Sequence, residues 1–128
     1  MGYRRAAFLV TAGWYLVAGI GHQLSGPAIL SDIAVLEPAS LADPTFFATT
    51  KGNYYTGTMW MILSAWLHWT WARRAPNSYG SVEIRVATAL QATTFYALAY
   101  WYSQYGKPST WPFVTVTATL DSICCFYG

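Results

Sequence analysis

Few groups in this chain can move a proton inside an apolar setting, and their spacing sorts them into two sets. The sharpest is Asp121, a lone carboxyl about 11 residues into an otherwise uncharged stretch. Thr117 and Ala118 share its helical face one turn before it, and Cys124 and Cys125 one turn after. A carboxyl so placed serves as a proton donor or acceptor. Otherwise it locks a bundle by bonding a Gln, Thr or Tyr, or lies close enough to the cytosol to be wetted. Gln91 and His68 are expected at a similar depth on neighbouring helices. His68 ends a stripe with Gly57, Met61 and Ser64 that should face a bundle interior, although an imidazole beside Trp69 and Trp71 would also suit an interface.

The second set surrounds His22, at the far end of the first apolar run and on one face with Thr11, Tyr15 and Ala18. Glu37, Asp43, Lys51, Asn53, Tyr54 and Tyr55 belong to the same level. A histidine with carboxylates and phenols is a workable acid–base constellation. The bland alternative is that Asp43 caps a helix and Glu37 faces water. Asp121 is the favoured acid and His22 the next candidate. At helical rise the two histidines are roughly 20 Å apart, too far to share a metal ion. Cys124-Cys125 is not a C-x-x-C pair, so neither metal nor redox cofactor is expected, and the thiols read as buried or S-acylated.

These groups need elements that hold them in lipid. Charged residues are 9% of the 128, hydrophobic residues 55% and aromatics 18%, whereas a soluble domain is about 25% charged. So small a domain could not cover its surface with 7 basic and 5 acidic side chains. The aromatic content excludes disorder, and a scattered net charge of +2 excludes a nucleic-acid surface. The lipid bilayer is the expected solvent.

Four apolar spans follow, at about 6–24, 53–72, 86–104 and 110–127. Strict alternation is absent, which argues against a β-barrel. Arg4, Arg5, Arg73, Arg74 and Arg85 flank one side of the spans; Lys51 and Lys107 lie on the other with Asp32, Glu37 and Asp43. The positive-inside rule then puts both termini in the cytosol, with Trp and Tyr belts at the span ends. Short links around 75–83 and at Gly106-Lys107-Pro108 make neighbours antiparallel. The expected fold is one all-α integral membrane domain, an up-down-up-down four-helix bundle.

All six prolines are expected in connectors or first turns. The connector 25–52 is too long to be structureless. Ile29, Leu30, Ile33, Ala34 and Leu36 predict a short interfacial helix there, and Asp43-Pro44 a second helix start, together forming a partly helical lid. Arg4-Arg5 before an apolar run reads as a retained first span rather than a cleaved signal peptide, and Ala6 spoils a myristoylation motif. Gly13, Gly19 and Gly21, with Ala18, are expected to admit a close helix neighbour.

The four-span layout, Gly21-His22 near the outer end of span one and the aromatic-bounded Lys107-Pro108 turn resemble small four-helix membrane proteins of bacteria and fungi. Fungal biosynthetic clusters include such proteins acting as cyclases, isomerases or epoxide-opening hydrolases on lipophilic polyketides and terpenoids. The resemblance covers the architecture of the whole chain and assigns no residue. It implies a cofactor-independent acid–base enzyme for a lipophilic small molecule; for that chemistry the sequence itself offers Asp121 with Gln91 and His68 on the inner side, or His22 with Glu37 and Tyr54 on the outer side. Two other readings stand beside it: a non-catalytic lipid or sterol binder or complex subunit, and an oligomeric channel or carrier. A homo-oligomer is compatible with any of them.

Overall fold

The computed structural model describes residues 2–36, 44–74, 80–105 and 110–127. Four helices account for nearly all of them: α1 (Tyr3–Leu36), α2 (Pro44–Ala72), α3 (Val82–Tyr105) and α4 (Thr110–Tyr127). The all-α expectation holds, with no strand among the described residues. One helix among them, α1 over Tyr3–Ala28, is long and apolar enough to cross a membrane. The other three are richer in Thr, Tyr and Trp taken together, which dilutes their apolar character.

The expected lid gives way to a different arrangement. Residues 25–36 continue α1 without a break, and 44–52 are the first turns of α2. No separate connector helix exists in these segments; Glu37, Asp43 and Pro38 lie outside the described residues, as do Pro76, Lys107 and Pro108. Pro44 does open α2, and Pro112 sits in the first turn of α4. Pro27 is the exception, inside α1. Its missing N–H leaves the Gln23 carbonyl without its helical donor. In the same turn the Ser25 hydroxyl donates to the Gly21 carbonyl at 2.7 Å and the Tyr54 hydroxyl to the His22 carbonyl. Neither bond is to the freed Gln23 carbonyl; at this level α1 packs on α2 instead, Gly26 against Tyr54.

The chain divides into two compact units. The first comprises residues 1–14 and 65–128, the second Tyr15–Ser64. In the first unit, Thr11 meets Cys124 and Trp14 meets Thr117, so α1 and α4 run antiparallel. Contacts of Cys125 with the Arg85 carbonyl and of Tyr96 with Thr119 give α3 and α4 the same relation. Phe8, Trp71, Ala72, Ile84 and Cys124 form one buried cluster. They come from the start of α1, the end of α2, the start of α3 and the end of α4, so these four helix ends gather at one end of this unit, the first three with arginines beside them. At the α3 start, Ser81 accepts the first helical bond from the Arg85 N–H at 3.1 Å. There the backbone N–H of Glu83 holds its own carboxyl below the ordinary glutamate range.

Beside its apolar cluster the first unit buries several polar side chains, and it exposes many large apolar ones. Thr11, His68, Thr88, Gln91, Thr117 and Asp121 are buried, whereas Val10, Trp66, Trp69, Val86, Leu90 and Phe126 are exposed. Water-soluble domains show the reverse preference. Many hydroxyls are satisfied locally, as in Thr11 to the Ala7 carbonyl (2.9 Å), Thr88 to Ile84 (2.9 Å) and Thr117 to Phe113 (3.1 Å). A threonine that bonds its own helix can face an apolar medium without a stranded donor.

The second unit pairs α1 with α2. Gly19 packs on Ile62 and Met61, Gly57 beside His22, and Gly26 on Tyr54. The contacts descend α2 as they climb α1, so the pair is antiparallel. Of the three glycines expected to admit a neighbour, only Gly19 does; Gly13 and Gly21 have nothing within 4 Å of a built Cβ. Helical periodicity groups glycines by face, yet a partner's side chains decide which of them is needed. Gly21→Ala should therefore leave stability unchanged or raise it by about 0.5–1 kcal/mol, through the lower helix propensity of glycine. A melting curve of the detergent-purified protein measures this.

Candidate functional site

Two clusters carry the residues singled out by sequence, one in each unit. In the first, His68 near the end of α2 meets Asp121 on α4, with Nε2 to Oδ1 at 3.2 Å and both side chains fully buried. Helical phase explains why these two turn inward. His68 lies four residues after buried Ser64, and Asp121 four residues after buried Thr117.

The imidazole has aromatic walls. The ring of Phe8 lies 6.0 Å away, centroid to centroid, and that of Trp71 lies 5.0 Å away at 66°. Phe8 and Trp71 also meet edge to face at 6.1 Å and 75°. One turn beyond Asp121, the buried Cys124 thiol and the Thr11 hydroxyl are 3.3 Å apart. A turn before it, Thr117 accepts a hydrogen bond from the Trp14 indole at 2.9 Å. The α4 face bearing Asp121 is thus lined with weak dipoles and no second charge.

Gln91 is buried on α3 of the same unit, one turn after buried Thr88. Of the expected inner set, His68 and Asp121 are brought into contact, and Gln91 shares their unit.

The second cluster centres on His22. Its Nδ1 is 2.8 Å from the Thr58 hydroxyl, and its ring stacks on that of Tyr54 at 3.8 Å and 12°. Tyr54 donates to the His22 carbonyl, and Tyr55 meets the Tyr54 ring edge to face at 5.8 Å. The expected His22–Tyr54 association is therefore present. Its expected carboxylate, Glu37, lies outside the described residues. Lys51 and Asn53 are exposed.

Thr58 escaped the sequence reading. It lies one turn after Tyr54 on the same face of α2, a spacing that could have flagged it. Thr11 was noted only as part of a stripe, and its contact with Cys124 spans 113 residues, which no local periodicity reveals.

Among the described residues, no three of His, Cys, Asp and Glu group in the manner of a metal site. The first cluster can hold a proton between an imidazole and a carboxyl in a dry aromatic setting. The second offers an imidazole stacked on a phenol and bonded to a hydroxyl. No model of a known protein family matches the chain, nor does any curated protein or solved structure.

Proposed function

We propose that the chain is a multi-pass membrane protein, with both termini cytosolic, that performs acid–base chemistry on a lipophilic small molecule. Isomerisation, cyclisation and epoxide opening are the reactions in view, and the His68–Asp121 pair is the proton-handling group. The single observation carrying this reading is that contact: an imidazole and a carboxyl 3.2 Å apart, both fully buried. Ionisable groups inside a membrane are rare and commonly functional.

The chemistry needs little else. An imidazole beside a carboxyl can take up a proton and give it back, the carboxyl balancing the charge that forms. A proton taken from one carbon or oxygen of a bound molecule and returned to another leaves the pair unchanged. Epoxide opening adds one water, whereas isomerisation and cyclisation conserve mass.

The multi-pass reading is supported by the buried polar side chains of the first unit, the large apolar ones exposed on it and the five arginines at one of its ends. The test compares lipophilic extracts of cells expressing wild type, Asp121→Asn and His68→Gln. Wild type should convert a precursor into a species of equal mass, or heavier by one water; both variants should accumulate the precursor. Identical product profiles from wild type and a folded Asp121→Asn would refute it.

The complete burial of both side chains favours a second reading, in which the pair locks the helices of a non-catalytic lipid-binding module or complex subunit. Under that reading, Asp121→Asn would alter stability and leave the extract unchanged.

A further inference from the structure

An apolar groove of about 460 Å³ runs along the outside of the first unit, between the start of α1 and the end of α4. Ala6, Ala7, Val10 and Thr11 line it from α1, and Leu120 and Ile123 from α4, with Tyr3 at its end. Its volume falls within the range of small-molecule sites. It is open on the outside, where Val10 is 59% and Tyr3 94% exposed. Alanines at positions 6 and 7 leave a furrow that larger residues would fill, and Thr11 brings little polarity because its hydroxyl already bonds the Ala7 carbonyl.

Charge at the groove's end identifies the occupant. Arg4 and Arg5 stand between Tyr3 and Ala6 in the first turns of α1, and both are exposed. Arg73, Arg74 and Arg85 belong to the same end of the unit; of the described acids near it, Glu83 is exposed and Asp121 is buried against His68. The geometry points to a binding site for an anionic phospholipid, with one acyl chain in the groove and the phosphate at Arg4 and Arg5. This inference rests on the membrane reading above and is independent of the acid–base reading. A bilayer lipid fits because the groove is open sideways to the hydrocarbon while the arginines lie at the helix ends, at headgroup level.

The experiment uses the full chain in detergent, doped with phosphatidylglycerol or phosphatidylcholine, and reads retained lipid by native mass spectrometry. Wild type should retain phosphatidylglycerol preferentially. Each arginine near an anionic headgroup contributes about fivefold in affinity, so Arg4→Gln with Arg5→Gln should lower retention by roughly tenfold or more and abolish the preference. Val10→Trp, at an exposed position, should fill the groove and reduce retention of both lipids while the arginines remain.

Equal retention of the two lipids by wild type would overturn the inference. So would undiminished retention in Val10→Trp, or a wild-type dimer that Val10→Trp converts to monomer without changing bound lipid, which would make a second copy the occupant. Release of the protein from membranes by alkaline carbonate would overturn the membrane reading and this inference together. Loss of lipid preference alone would leave the membrane reading intact.

Discussion

Asp121→Ala is expected to lower folding stability by about 3–5 kcal/mol, the range found when one partner of a buried ion pair is removed. The imidazole of His68 would stay at zero exposure without the carboxyl it now meets at 3.2 Å. His68→Ala should be comparably harmful, because it strands the carboxyl and also opens a cavity beside Phe8 and Trp71. The double variant His68→Leu/Asp121→Leu should recover much of the loss, since an apolar pair of similar volume leaves no buried charge. Thermal unfolding of the four proteins in one detergent measures the set. Single variants as stable as wild type, or a double variant as unstable as the sum of the singles, would remove the pair from its structural role. Asp121→Asn separates stability from chemistry, because it keeps the shape of the side chain and a carbonyl acceptor while ending proton exchange at that position.

This contact was half legible in the sequence. Apolar surroundings marked Asp121, and the i, i+4, i+7 and i+11 spacing of Gly57, Met61, Ser64 and His68 marked an inward stripe. Depth could be counted in residues, which put the two groups at one level. The rotation of α2 against α4 could not be counted, and rotation decides whether side chains at equal height touch. The fold shows the same division. Composition gave four helices, because a charge-poor chain has few other ways to satisfy its backbone. A proline at position 27 reads as a break, whereas α1 runs through it and packs Gly26 on Tyr54, 27 positions later in the sequence. The glycines were read by face, and only the positions of Ile62 and Tyr54 on α2 separate Gly19 and Gly26 from Gly13 and Gly21.

The second large effect is expected from Gly26→Leu and Gly19→Leu. A Cβ at Gly26 would lie 2.8 Å from Cε1 of Tyr54, and one at Gly19 2.9 Å from Cδ1 of Ile62 and 3.3 Å from Cβ of Met61. Tyr54 has little room to retreat, because its ring stacks on His22 and its hydroxyl is bonded to the His22 carbonyl. Overpacking of this kind costs about 1–3 kcal/mol, and the bulk beyond Cβ places these leucines at the upper end. The damage should be local. Hydrogen exchange should quicken at residues 15–28 and 51–64, while residues 82–104 keep their protection, as expected for separately opening units. Gly13→Leu and Gly21→Leu provide the contrast, since neither position meets a neighbour. Equal protection in Gly26→Leu and Gly21→Leu would mean that the helix pair is not held at these contacts.

The unbroken course of α1 carries one more consequence. Its 34 residues amount to about 50 Å of helical path, whereas bilayer hydrocarbon is about 30 Å thick. Once embedded, α1 must lean or carry its distal turns into the headgroup layer. Leaning lengthens its path through the hydrocarbon, so the tilt becomes a function of the host membrane. Thin membranes demand a steeper lean than thick, sterol-rich ones, and the associated energy amounts to fractions of a kcal/mol per ångström of mismatch. Under the membrane reading proposed above, a single uninterrupted helix makes bilayer thickness a control variable for the protein.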